Sequence, residues 1–181
     1  MISGIYSLEE LQQTIATYPE NWRPLVLTNG CFDLLHVGHL RYLQVAKALG
    51  RSLVVGLNSD RSVRQLKQHW PGEPPLRRLE HAESFRTRAC SRHRPIVPEM
   101  QRAELLCGLK PVDAVIVFDT LTAVSLIEAL KPDIYAKGGD YTIDTLPEAP
   151  AVTACGCRLE LVKVEIPTST SAIINKILNF R

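Results

Sequence analysis

Apolar runs of strand length recur along the chain with helical patterns between them, and that alternation limits the fold more than any other feature. Leu53–Leu57 and Ala114–Phe118 are continuous apolar runs, as expected of strands buried on both faces. Leu25–Thr28, Ile134–Ala136 and Leu159–Val164 read as three further strands. Between and around them lie helical patterns. Ser7 with Glu10 forms a capping box, and Leu8, Leu11 and Ile15 carry an N-terminal helix over about 7–18. Val37–Leu49 has an apolar face of Leu40, Leu43 and Ala46, with Gly50 as its expected C-cap. Glu99–Leu109 follows Pro98, Leu121–Leu130 is stopped by Lys131-Pro132, Ala149–Ala154 ends before Gly156, and Ser169–Leu178 is the last helix. Strands alternating with helices predict an α/β fold: one Rossmann-like, doubly wound parallel sheet of about five strands, with right-handed crossovers and helices on both faces. Ligands of such sheets sit beyond the carboxyl ends of the strands, at a switch point.

At 181 residues the whole chain, 1–181, is expected to form a single domain. A formal net charge of +2 argues for neither a nucleic-acid nor a membrane partner. No apolar run approaches the roughly 20 residues of a membrane helix, and Met1–Tyr6 does not read as a signal peptide. Five scattered cysteines read as reduced thiols of a cytoplasmic protein, and Cys155-Gly156-Cys157 lacks the second pair a zinc site needs. One segment interrupts the alternation. Residues 68–94 hold three prolines and six arginines against three glutamates, too long a stretch for an ordinary loop. A short helix over 76–89 is compatible with it. The insertion reads either as a solvated excursion or as a basic flap over a phosphorylated ligand.

The first strand runs into Asn29-Gly30-Cys31-Phe32-Asp33-Leu34-Leu35-His36-Val37-Gly38-His39. No P-loop and no G-x-G-x-x-G follows that strand. His36 and His39, three apart, share nearly one face where a helix begins. The helix start offers free amides and the positive end of its dipole, which suits an anion. Two imidazoles there can donate to one phosphate and gain charge as phosphate charge develops. Gly30 permits a sharp turn, and Gly38 keeps the first helical turn clear. Two other readings stand beside this one: zinc ligation with Cys31 or Asp33, and a purely structural cap.

These residues resemble the H-x-G-H signature of the cytidylyltransferase-like nucleotidyltransferases. Within that family they resemble most closely the adenylyltransferases of D-glycero-β-D-manno-heptose 1-phosphate. Gly56-Leu57-Asn58-Ser59-Asp60, Arg94-Pro95-Ile96-Val97-Pro98 with Gln101-Arg102, Lys137-Gly138-Gly139-Asp140-Tyr141 and Thr168-Ser169-Thr170-Ser171 extend the likeness. The resemblance implies that His36 and His39 stabilise the triphosphate and the transition state, with Lys47 reaching phosphate from two turns further along. It implies that Asn29, Gly30, Cys31, Phe32, Asp33 and Gly38 cradle phosphates and nucleoside, with Asp33 near Mg²⁺ or substrate. It adds Asn58, Asp60, Arg102, Lys137, Gly138, Gly139, Asp140, Ser169 and Thr170 as nucleotide- or phosphate-binding positions. Lys47 and Arg102 have alternatives as a solvated cation and a salt bridge on its own helix. The implied reaction moves AMP from ATP, with Mg²⁺, to a sugar 1-phosphate, giving ADP-sugar and pyrophosphate. Homodimers are common in the family. Val164–Thr170 lacks the arginine that the CTP-using branch carries, which favours ATP. The alternatives are a cytidylyltransferase acting on a polyol phosphate such as glycerol 3-phosphate, and a non-catalytic nucleotide-binding regulator. The heptose enzymes often carry a sugar kinase domain in front, and this sequence has none.

Overall fold

The computed structural model describes residues 3–68, 94–138, 142–163 and 168–179. Its elements run α1 (Leu8–Thr17), the single turn α2 (Pro19–Trp22), β1 (Leu25–Gly30), α3 (Val37–Ala48), β2 (Ser52–Asn58), α4 (Asp60–Gln68), α5 (Glu99–Cys107), β3 (Ala114–Phe118), α6 (Val124–Leu130), β4 (Ile134–Gly138), a 3₁₀ turn (Ile143–Thr145), α7 (Ala149–Ala154), β5 (Arg158–Val162) and α8 (Thr170–Leu178). The strands form one parallel sheet of five in the order β3-β2-β1-β4-β5. The order reverses beside β1. Its carboxyl end, next to that of β4, is therefore the switch point where such sheets open a crevice.

Period-2 alternation sorts the strand residues between two apolar layers. Leu25, Leu27, Val54 and Ile116 face one way and pack with Leu11 and Ile15 of α1, Leu126 and Ile127 of α6 and Val152 of α7. Val26, Leu53, Val55, Leu57 and Val115 face the other, against Leu43 and Ala46 of α3 and Ala103 and Leu106 of α5. The helices thus cover both faces, as the alternation predicts. The Ser7 capping box forms with both of its hydrogen bonds, Glu10 N–H to Ser7 Oγ at 3.2 Å and Ser7 N–H to Glu10 Oε2 at 2.8 Å.

The differences from sequence expectation have local causes. Helix α4 is absent from the hydropathy pattern because it is largely polar, with Ser62 and Val63 its buried positions among the described side chains. Its start signal is Ser59, whose Oγ accepts from the Ser62 amide at 3.1 Å. Helix α6 begins at Val124 rather than Leu121. Gly50 follows α3 without a left-handed backbone; its lack of a side chain matters because a Cβ would lie 2.5 Å from the Pro24 carbonyl oxygen. The possible helix over 76–89 and the insertion up to residue 93 lie outside the described residues. Among the described residues no helix is long and apolar enough to cross a membrane.

Candidate functional site

The site is built where β1 ends. His36 has extended backbone and is the N-cap of α3: its Nδ1 accepts from the Gly38 amide at 3.1 Å. That bond assigns the proton to Nε2, the nitrogen turned away from the cap. His39, one turn on, stacks on His36 with ring centroids 3.9 Å apart and planes 28° from parallel. Phe32 closes the other side, 5.2 Å from the His39 ring. Its backbone is left-handed at φ +43°, a strained state for a non-glycine residue held by its surroundings. His39 Nδ1 is buried and has no hydrogen-bond partner among the described residues. Burial, and then the neighbouring His36, push the His39 pKa down to about 4, while burial also lowers that of His36. Both rings are neutral donors at rest. The first residues of α8 close over the same loop: Ser169 Oγ accepts from the Ala172 amide at 3.1 Å and Thr170 Oγ1 donates to the Leu34 carbonyl at 3.4 Å. Two helix starts therefore converge here.

Gly38 keeps the first helical turn clear, as expected, and what needs the room is the capping ring. A Cβ there would lie 2.8 Å from both Nδ1 and Cε1 of His36, so the glycine leaves room for the capping ring. Gly38→Ala should displace His36 and cost about 10²-fold in turnover, the penalty of a misplacement on the order of 1 Å. Loss of the cap should cost only about 1 kcal/mol of stability. Activity and denaturation measured on one preparation separate the two effects. Gly138 is similar. A Cβ would come 2.9 Å from the Tyr42 ring, so its lack of a side chain makes room for a core residue.

Several predicted ligand contacts turn out to be scaffold. Asp33 is buried, and its carboxylate accepts from Arg94 Nε and from the Ile96 and Val97 amides at 2.8 and 3.0 Å. These bonds tie the loop after β1 to the segment before α5, and they occupy the oxygens that would be offered to Mg²⁺. Arg102 is fully buried and binds no exposed anion site. Its Nε donates to Val97 O at 2.8 Å, Nη1 to Cys31 O at 2.6 Å and Asn58 O at 2.9 Å, and Nη2 to Asp60 Oδ1 at 2.7 Å. Asn58 spends its amide on Ser62 Oγ at 2.9 Å. Asp33, Asn58, Asp60 and Arg102 thus hold the loops that carry the site.

Lys47 does not reach the site. It lies at the last turn of α3, where its Nζ pairs with Asp113 Oδ2 at 2.6 Å and donates to the Arg51 carbonyl. Asp113 also accepts from the Leu53 amide at the start of β2, so this ion pair belongs to the opposite, amino-terminal end of the strands. Two turns of helix carry the cation about 11 Å away along the axis. Lys47→Ala should leave turnover near normal and cost no more than about 1 kcal/mol in denaturant unfolding.

Lys137 does arrive, from the end of β4. Its Nζ donates to Asn29 Oδ1 at 2.7 Å, and the same oxygen accepts from Tyr135 Oη at 2.6 Å. Glu148, at the start of α7, lies 3.6 Å from Lys137 and had no sequence signal. Gly139 and Asp140 lie outside the described residues.

One expected pH effect follows from His39. Its folded pKa of about 4 lies below the unfolded 6.5, so stability is complete above about pH 6.5 and falls as pH drops towards 4. His39→Ala should flatten that part of the Tm-versus-pH curve.

A parallel sheet that reverses beside β1, followed by a helix that His36 caps and on whose first turn His39 stacks, is of the nucleotidyltransferase type in its fold. The sequence model of the cytidylyltransferase-like family matches residues 27–89. Over nearly all its length the chain is similar to bifunctional proteins HldE. It is 44% identical over 177 residues to that of Citrifermentans bemidjiense, covering 98% of this chain and 32% of the relative. It is 41% identical over 174 residues to that of Geobacter sulfurreducens, covering 96% and 31%. The chain spans about a third of the length of these curated relatives. Among solved structures it is similar to the lipopolysaccharide core biosynthesis protein of Thermoplasma volcanium, with TM-score 0.51, 26% identity and coverage of 79% of this chain and 97% of that one. A pantoate-β-alanine ligase from Francisella tularensis shares the fold, with TM-score 0.52, 10% identity and coverage of 96% and 73%.

Proposed function

We propose that the chain transfers AMP from ATP to a sugar 1-phosphate, D-glycero-β-D-manno-heptose 1-phosphate, releasing pyrophosphate and forming ADP-heptose. The observation that carries this reading is the stacked His36–His39 pair at the start of α3, beside the sheet's switch point. The similarity to HldE proteins along nearly the whole chain supports the sugar assignment. An oxygen of the sugar phosphate attacks the α-phosphorus of ATP, the bond to the bridging oxygen breaks, and pyrophosphate leaves. No protein nucleophile is needed. The histidines align the phosphates and donate hydrogen bonds where negative charge grows, which is the main protein contribution to such transfers. Their neutral resting state keeps two cations from repelling each other before the anion arrives. His36 Nε2–H is the donor its cap leaves available.

Mg²⁺ is the expected companion of ATP. Among the described residues no group of three or more His, Cys, Asp or Glu converges on a point, and Asp33 is engaged elsewhere. The described residues therefore do not fit a protein-built magnesium cage. The ion belongs with the triphosphate as part of the substrate, a common arrangement for Mg²⁺.

Pyrophosphate release tests the reading. ATP and CTP are each offered with heptose 1-phosphate, hexose 1-phosphates and glycerol 3-phosphate. Release with ATP and the heptose phosphate is the expected result. Preference for CTP with glycerol 3-phosphate would transfer the chain to the polyol branch, and silence with every pair would leave a binding protein.

A further inference from the structure

Glu148 is a carboxylate that is 3% exposed, with one oxygen accepting from the Ala123 amide at 3.2 Å and the other lacking any hydrogen-bond partner among the described residues. A buried charge left in that condition is expensive unless a cation compensates it. The cation is Lys137, 3.6 Å from Oε1 and itself largely withdrawn from water. We propose that Glu148 is the counter-ion that keeps Lys137 protonated and seated at the mouth of the sheet, positioning it for a phosphate-bearing ligand. The inference rests on the nucleotidyl-transfer reading for its purpose, but the pairing stands on geometry alone.

The surroundings of Lys137 show why the counter-ion is needed. From β1 comes Asn29, and from its own strand Tyr135, whose ring centroid is 5.9 Å from Nζ. Cys31, just past β1, also faces it. Asn29 carries no charge, and Cys31 adds a smaller influence in the same direction as Glu148. Glu148 on α7 is the carboxylate of the set. Burial lowers the Lys137 pKa and Glu148 is the largest influence raising it. Because Asn29 Oδ1 accepts from both Tyr135 and Lys137, a neutral or displaced lysine would also disturb the strand that leads into the histidine loop.

The test uses Glu148→Gln, which keeps shape and removes charge. The alkaline limb of its kcat/KM profile should move down by about one to two pH units, the usual effect of losing a close opposite charge. Adding Lys137→Arg, whose guanidinium stays charged, should abolish that shift. A uniform loss of activity with an unmoved limb would mean a merely structural role and would overturn the proposal. NMR titration of the Lys137 side chain, assigned with Lys137→Arg, should show the same downward shift in Glu148→Gln. This readout needs no turnover, so it distinguishes failure of the pairing from failure of the proposed reaction.

If Glu148→Gln does not fold, Lys137→Met decides. Without its cation the buried carboxylate is left uncompensated, and burial penalises the charged form only. Its Tm deficit against the parent protein should be larger at pH 8 than at pH 5. An equal deficit at both would sink the pairing.

Discussion

Alanine at His39 is expected to lower kcat by about 10²-fold while leaving the fold in place, the usual penalty for removing one donor aimed at developing phosphate charge. The ring is held from two sides, by His36 at 3.9 Å and Phe32 at 5.2 Å, yet one of its nitrogens has no protein partner. A buried polar atom without a partner normally costs stability. Its persistence is understandable if a ligand supplies the partner. Truncation then removes a desolvated polar ring from the free protein, and Tm near neutral pH should fall little or even rise. The loss should appear in kcat more than in KM, because the bond strengthens as charge accumulates on the phosphorus oxygens. His39→Ala with near-normal turnover would remove the pair from the mechanism. His36→Ala should cost a similar factor in rate, and it should also destabilise α3, since Nδ1 caps that helix.

The second large effect concerns Arg102. Arg102→Met keeps the bulk of the stem but strands three carbonyls and the Asp60 carboxylate that the guanidinium now satisfies. Removing one partner from a buried charge network of this kind costs about 3–5 kcal/mol. Arg102→Lys should recover little of this, because a single ammonium cannot reproduce a planar fork serving four acceptors. Urea unfolding of both variants is the measurement. The variants should lose activity only in step with their unfolding, since Cys31 and Asn58 are the backbone attachments of the site loops. Parental stability in Arg102→Lys combined with lost turnover would return the residue to phosphate contact.

Asp33 and Arg102 show what separates a readable position from an unreadable one. The helix start at Ser7, the histidine pair on one turn and the apolar strands depend on residues a few positions apart. Their spacing alone therefore states the local structure. Ala149–Ala154 and Ala114–Phe118 have the bounds that their patterns suggest. The polar partners lie far apart along the chain: Asp33 meets Arg94, Asn58 meets Arg102, Lys47 meets Asp113. Nothing local tells a phosphate-binding arginine from one buried among carbonyls.

By itself the sequence determined the parallel α/β architecture and the place of the two imidazoles at its ligand end, because periodicity and capping act over a single turn or strand. Only the tertiary structure decided which charged residues stand at the mouth of the sheet and which hold the loops. It turned Lys47 to the amino-terminal end of the strands, buried Asp33 and Arg102 as ties, and brought Glu148 to Lys137. Charge pairing depends on which strand ends lie side by side, and that is set by the sheet order rather than by neighbours in the chain.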